Sequence, residues 1–265
     1  MLIDFHNHVL PAADDGSPSL EVSLMMLRTA ADQGITDVVN TIHFQHPKMQ
    51  EREITLAFVE DELAKLQLEI DRAGIAIKLH RGAEVFYLPN LVELAENPVT
   101  TIGNGKYMLV EFQTYQLPDG YRKVLFDLVM RGITPIIAHP ERYKPVQNDI
   151  DLLRNLIDAG CLIQVDGGSL TGVLGNSARK AAEQLLARGL CQLLGSDAHD
   201  TGHRNFCLTV AVEIGRSFAG DNIDRMVTDN PDKLIQGKQL EPEIAYIPAK
   251  APNIMKKLRQ RLWPV

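Results

Sequence analysis

Three cysteines in 265 residues are too few and too scattered to hold a fold together. Cys161, Cys191 and Cys207 are odd in number and form no Cys-x-x-Cys pair. That argues against a disulfide scaffold and a thiolate zinc cluster, and leaves reduced core thiols in a cytoplasmic protein. Basic charge is also scarce: 27 Lys and Arg against 34 Asp and Glu give a formal net charge of −7. General nucleic-acid binding needs a basic footprint, and no basic stretch interleaved with aromatics is present, so no nucleic-acid partner is expected. No apolar run approaches the length of a membrane span. Asp4 and His6 stand where a signal peptide would need an apolar core. No Gly-x-Gly-x-x-Gly follows the first apolar run and no Walker A motif occurs, which weakens nucleotide-fold readings.

What is present is an ordinary globular composition, 45% hydrophobic and 23% charged. The length suits one α/β barrel or two smaller domains. Ser19 reads as an N-cap for a helix running to about Gln33, where Leu20, Leu24, Leu27 and Ala31 recur at helical spacing and Gly34 ends it. Residues 36–42 are a β-branched run and read as a buried strand. A surface helix over 51–73 follows. The alternation then continues, with strands expected over 75–85, 107–112, 133–138, 161–165 and 191–194. Helices are expected over 90–97, 121–131, 150–159, 177–188, 207–218 and 223–228. Strands alternating with helices imply a parallel sheet. Roughly seven repeats in this length favour a closed or nearly closed barrel over an open sheet. No composition break marks a second domain.

The informative pattern is positional. In Ile3-Asp4-Phe5-His6-Asn7-His8, a strand would aim both imidazoles to one face. His-x-His alone is a weak signal. However, His43, Glu84, Glu111, His139, Asp197 and His199 also fall at or just past the ends of expected strands. In an α/β barrel those ends share one face, the face that holds active sites. Imidazole mixed with carboxylate, without thiolate, suits Mn²⁺, Fe²⁺ or Zn²⁺ at a hydrolytic centre. The candidates exceed what one ion needs, so two or three ions are expected. Carboxylates this crowded would also repel one another without cations. Arg142 follows His139 and Arg204 follows His199, and guanidinium near a metal cluster suits a phosphate oxygen.

The chain resembles the PHP superfamily of metal hydrolases, and most closely the bacterial PHP-type protein-tyrosine phosphatases of capsule and exopolysaccharide clusters. The matching segments span nearly the whole chain in order. They are Asp4-Phe5-His6-Asn7-His8, Asp14-Asp15-Gly16, Thr41-Ile42-His43, Gly82-Ala83-Glu84, Val110-Glu111-Phe112, Ile137-Ala138-His139-Pro140-Glu141-Arg142-Tyr143, Gly168-Ser169-Leu170-Thr171-Gly172 and Gly195-Ser196-Asp197-Ala198-His199-Asp200. The resemblance implies an α/β fold: a distorted (β/α)7 barrel of PHP type, a single domain over residues 1–240 with a C-terminal tail over 241–265. It implies a trinuclear site, usually manganese-dependent. His6, His8, Glu84 and Asp197 would hold one ion, Glu84, Glu111 and His139 the second, and Asp15, His43 and His199 the third. Asp14 is the less expected ligand of its pair. Arg142 and Arg204 would grip the phosphoryl group while a metal-bridging hydroxide attacks phosphorus. The implied substrate is a phosphotyrosine protein, a bacterial tyrosine autokinase of capsule or exopolysaccharide synthesis. The absence of a Cys-x5-Arg loop is consistent with a route that needs no cysteinyl phosphate.

This sequence departs from its relatives where they usually read Thr-Pro-His-His. Here Ile42 and Phe44 flank His43, with His46 close by. Asp166-Gly167 also precedes Gly-Ser-Leu-Thr-Gly, where a less charged pair is expected. Both changes bear on substrate preference. Two rival readings remain: a histidinol-phosphate or other small phosphomonoester phosphatase, and a catalytically silent barrel that binds a partner. In the tail, residues 254–263 read as a short basic amphipathic helix, either a solvated terminus or a weak contact with an anionic membrane surface. The oligomeric state is left open.

Overall fold

The short β-branched runs and the amphipathic segments between them resolve into a ring of strands wrapped by helices. The computed structural model describes residues 1–49 and 53–240. The strands are β1 (Ile3–Asn7), β2 (Asp37–Phe44), β3 (Lys78–Phe86), β4 (Tyr107–Glu111), β5 (Thr134–Ala138), β6 (Leu162–Asp166) and β7 (Leu193–Gly195). They form one seven-stranded sheet in sequence order, every pair parallel. Past β7 the chain returns to β1. Asn7 bridges Ala198, the His8 N–H donates to the Ala198 carbonyl (2.9 Å), and the Asp197 N–H donates to the His6 carbonyl (2.7 Å). Buried Asp4 reinforces the closure by accepting from the Ser196 N–H with one oxygen and from the His6 N–H and the Asn7 amide with the other. The result is a nearly closed (β/α)7 barrel.

The helices are α1 (Leu20–Asp32), α2 (Leu56–Arg72), α3 (Leu91–Leu94), α4 (Tyr121–Met130), α5 (Lys144–Asn148), α6 (Asp151–Asp158), α7 (Gly167–Thr171), α8 (Asn176–Ala187), α9 (Leu208–Ala219), α10 (Asn222–Arg225) and α11 (Asp229–Ile235). Ser19 caps α1 by accepting from the Val22 N–H, as its sequence position implies. The second helix starts later than residue 51. Thr55 caps it through the Phe58 N–H, and Ile54 just before the cap packs on the same core as Val59. Three helices escape the periodicity argument. One, α7, is a Gly-Gly start that reads as loop until the Asp166 carboxylate caps it through the Gly168 N–H (2.7 Å). The others are α5, led in by Pro145, and α11, which carries Pro231 in its first turn, where a missing N–H costs nothing.

Two apolar clusters fill the protein. The larger lies between strands and helices. The smaller collects Ile3, Phe5, Val39, Leu109, Ile136, Leu162 and Leu193, one or two from nearly every strand, together with Ile102, Tyr107, Leu234 and Leu240. Alternation along the strands makes this the lower layer inside the barrel. The register of β1 against β2 shifts between Asp4 and Asn7. That bulge turns His6 and His8 inward immediately above Phe5. Two glycines permit the close packing around them. A Cβ on Gly195 would stand 2.7 Å from the His6 Cβ, and one on Gly16 only 2.2 Å from the His8 carbonyl oxygen.

The basic segment at 254–263 lies outside the described residues. No described helix is long and apolar enough to cross a membrane.

Candidate metal centre

Above the lower layer, the inward positions change from apolar to ligand-type. His6 comes from β1 and His8 just past it, His43 from β2, Glu84 from β3 and Glu111 from β4. His139 follows β5, and Asp197 and His199 follow β7. Backbone strain helps to aim two of them. His139 (φ 31°) and Asp197 (φ 48°) hold left-handed conformations that side-chain-bearing residues rarely adopt. All these residues except Glu111 are buried, and Glu111 is partly buried.

The histidines are set by what their other nitrogen touches. His6 Nδ1 lies 3.0 Å from Gln164 Oε1, His8 Nδ1 2.7 Å from Asp14 Oδ2, and His199 Nδ1 2.8 Å from the Asp197 carbonyl. These oxygens accept, so in the neutral rings Nδ1 carries the proton and Nε2 is left with the lone pair that a cation would take. His6 Nε2 then stands 3.2 Å from Glu84 Oε2 and 3.4 Å from Asp197 Oδ1. For His8 Nε2 the same two distances are 3.4 and 3.3 Å, and the two nitrogens are 3.4 Å apart. A tetrahedron with such edges has its centre about 2 Å from each corner, the bond length of Zn²⁺ and similar cations to nitrogen or oxygen.

Two further groups share members with this one. His43 Nδ1, Glu84 and Glu111 converge, with His43 3.2 Å from Glu84 Oε2 and 4.0 Å from Glu111 Oε2. His139 Nε2 joins from the other side, 2.8 Å from Glu84 Oε1 and 3.9 Å from Glu111 Oε1. The other group is His8, Asp15, His43 and His199. Asp15 Oδ1 lies 3.2 Å from His43 Nε2 and 3.4 Å from His199 Nε2. Every residue singled out as a ligand from the sequence therefore reaches one space, with Glu84, His8 and His43 at the joints between groups.

The electrostatics match a space suited to cations. Burial pulls the His6 imidazole down, but Glu84 and Asp197 overcome it and raise its pKa to about 9. Glu84 is held well below the usual carboxylate range, against its burial, by His6 and His43. Glu111 goes the other way: burial and the Glu84 charge push it well up. Protons drawn to His6 and Glu111 thus take the place of positive charge that cations would supply. His43 Nδ1, Glu84 Oε2, Glu111 Oε2, His139 Nδ1 and Asp197 Oδ1 are also buried without a hydrogen-bond partner. Orphaned carboxylate oxygens and imidazole nitrogens, crowded around excess negative charge, fit divalent cations.

Arg142 and Arg204 both bond Asp197 Oδ2 at 2.6 Å, while Asp197 Oδ1 faces the histidines. One carboxylate thus joins the inner cluster to the guanidinium pair. The arginine side chains are 27% and 32% exposed, so they line the open side of the centre. Behind Arg142, the Glu141 Oε1 atom accepts from Ser169 Oγ (2.7 Å) and from the Asp166 N–H (3.0 Å). That pair of bonds joins the His-Pro-Glu-Arg-Tyr turn to the Ser-Leu-Thr-Gly helix. Asp166 Oδ2 comes within 3.7 Å of Arg142, and burial, with Asp197 nearby, pushes its carboxyl well up.

Sequence reasoning missed two supporting residues. Gln164 orients His6 and also accepts from the His139 N–H (3.3 Å); a lone amide inside the apolar run of β6 was its signal. Asp14 orients His8 and accepts from the His43 N–H (3.1 Å), so it stands behind two of the candidate ligands. At the atypical segment, Phe44 turns into the main core. His46 stacks beside His43 instead, and burial and His43 lower its pKa.

A profile of the family described as Capsular polysaccharide synthesis, CpsB/CapC, matches residues 2–236. Tyrosine-protein phosphatase YwqE of Bacillus subtilis is 29% identical over 240 residues, covering 90% of this chain and 93% of that protein. Tyrosine-protein phosphatase CpsB of Streptococcus pneumoniae is 30% identical over 245 residues, covering 88% and 98%. A chain from the crystal structures of these two proteins, described as unique metal-dependent tyrosine phosphatases, superposes with a TM-score of 0.86 at 28% identity, covering 94% of this chain and 100% of that one. Histidinol phosphate phosphatase from Lactococcus lactis, complexed with zinc, L-histidinol and phosphate, shares the fold with a TM-score of 0.54 at 15% identity, covering 83% and 93%.

Proposed function

The chain belongs to the CpsB/CapC family of capsular polysaccharide synthesis, and from that premise we propose that it is a metal-dependent protein-tyrosine phosphatase. We assign His6, His8, Glu84 and Asp197 to one cation, Glu84, Glu111 and His139 to a second, and Asp15, His43 and His199 to a third. Mn²⁺ is the cation we favour, on the resemblance to manganese-dependent relatives, since the mixed imidazole and carboxylate set itself suits Mn²⁺, Fe²⁺ or Zn²⁺ alike. The substrate is phosphotyrosine on a protein, a tyrosine autokinase of capsule or exopolysaccharide synthesis, met in the cytoplasm. We take residues 1–240 as the catalytic unit and 241–265 as a tail outside it.

Cations held by these residues would supply a nucleophile from water at neutral pH and offset charge on the phosphoryl oxygens. The chain's own residues do the rest. Gln164 and Asp14 hold His6 and His8 in the tautomer that keeps Nε2 free. Arg142 and Arg204 stand at the open side, where they exchange part of their bonding to Asp197 for the phosphoryl oxygens. Glu141, through Ser169 and the Asp166 N–H, fixes the turn that carries Arg142. The phenolate of tyrosine is stable enough to leave with little acid assistance.

The observation that carries this reading is Asp197, one oxygen toward three imidazoles and the other toward two guanidiniums. That arrangement serves a phosphate ester held between cations and arginines. The test compares turnover of a phosphotyrosine peptide, p-nitrophenyl phosphate and histidinol phosphate by chelator-stripped and Mn²⁺-restored protein. Metal-dependent turnover that favours the peptide supports the proposal. Turnover unaffected by chelation, or preference for histidinol phosphate, overturns it.

A further inference from the structure

One imidazole faces this centre without belonging to the assigned ligand set. After β2 the chain kinks at Gln45 (φ 60°) and brings the His46 ring back beside His43, with centroids 4.5 Å apart and planes at 32°. Phe86 meets the same ring at 5.4 Å and 83°. The ring is thus held between two others. The Lys48 N–H donates to His46 Nδ1 at 3.2 Å. A nitrogen that accepts carries no proton, so in the neutral ring the proton sits on Nε2.

That Nε2 points at Glu111. It lies 3.7 Å from Glu111 Oε2, beyond hydrogen-bond range, and Glu111 Oε2 is buried with no hydrogen-bond partner. A fixed N–H therefore faces the cluster across a gap. It is poorly placed to be a ligand, because ligation needs a lone pair on Nε2. Moving the proton to Nδ1 would set it against the Lys48 N–H. Arg142 and Arg204 reach the centre through Asp197, whereas His46 reaches it beside Glu111, so the donor complements the arginines at a different carboxylate. Phe44, packed in the core, supplies no polar group here.

We propose that His46 donates a hydrogen bond from Nε2 to a phosphoryl oxygen of the bound phosphate ester, and that it is a substrate-binding residue and not a tenth metal ligand. This rests on the phosphatase reading above. The ligand class is a phosphate monoester dianion or its product, inorganic phosphate.

The test uses full-length Mn²⁺-loaded protein as wild type, His46→Phe and His46→Gln. Phenylalanine keeps a flat ring between His43 and Phe86 without a donor, and glutamine keeps an N–H at similar reach. Three quantities are read: bound metal by elemental analysis, inorganic phosphate binding by calorimetry, and kcat and KM for p-nitrophenyl phosphate and phenyl phosphate. The expected result is unchanged metal content in His46→Phe and phosphate binding weakened by roughly tenfold or more. The same factor should appear in kcat/KM for both esters, with His46→Gln recovering part of it. Loss of metal in His46→Phe would make the residue a ligand and overturn the proposal. Unchanged phosphate binding would make it a spectator. A loss confined to phenyl phosphate, the poorer leaving group, would move the donor to the ester oxygen and equally overturn the assignment. If the wild type hydrolyses neither ester, the phosphatase reading fails on its own, and the phosphate-binding comparison still decides the role of His46.

Discussion

The lower and upper halves of the barrel interior are built on the same strands and obey opposite rules. Below, Ile3, Phe5, Val39, Leu109, Ile136, Leu162 and Leu193 meet in a dry layer. Above, His6, His43, Glu84, Glu111 and Asp197 occupy the continuing inward positions, several with buried atoms that have no hydrogen-bond partner. Each orphaned buried polar atom costs about 1–3 kcal/mol. The upper layer therefore opposes folding of the metal-free chain, and the lower layer and the outer core must offset it. The contrast separates what holds the barrel together from what it is for.

Four substitutions or conditions test that separation. The largest effect is expected for Asp197→Asn, which weakens a ligand and removes the charge shared by both arginines. Turnover of p-nitrophenyl phosphate should fall on the order of a thousandfold or more. Phe5→Ala should behave in the opposite way. Urea unfolding should show a loss of about 3–5 kcal/mol, while turnover per folded molecule stays near that of the wild type. If Phe5→Ala instead abolishes turnover in protein that remains folded, the two layers are not independent.

Gln164→Leu probes the join between them. Without the amide, His6 loses the acceptor that fixes its tautomer, and Mn²⁺ affinity should weaken roughly 10- to 100-fold by competition titration. The smallest effect is on pH dependence. In metal-free protein His6 titrates at about 9, above its ordinary 6.5. Its contribution to stability is therefore fully present below pH 6.5 and is lost as pH rises through 9. Thermal melts of stripped protein should fall over that window. Bound cations require the deprotonated imidazole, so melts of loaded protein should lack the fall.

Much of this was legible in the sequence because strand ends in a parallel barrel share a face. Once the strands were placed, the positions of His43, Glu84, Glu111 and His139 at their ends implied convergence. What stayed hidden depended on contacts between distant segments. Gln164 matters only because the fold sets it against His6, 158 residues away in sequence. Helix α7 looked like a glycine loop because its order comes from the Asp166 cap and from Ser169 bonded to Glu141. The late start of α2 at Leu56 was decided by Thr55, a local cap overridden in the reading by a longer amphipathic pattern. His46 could be noticed in the sequence, but its tautomer could not, because that depends on where the Lys48 N–H points.

The central claim is that the upper layer is a multi-cation centre. It is tested most directly by counting the Mn²⁺ equivalents taken up by chelator-stripped full-length protein as phosphatase activity returns. Two or three equivalents are expected, with activity appearing only as more than one is bound. Full activity at one equivalent or none would contradict it.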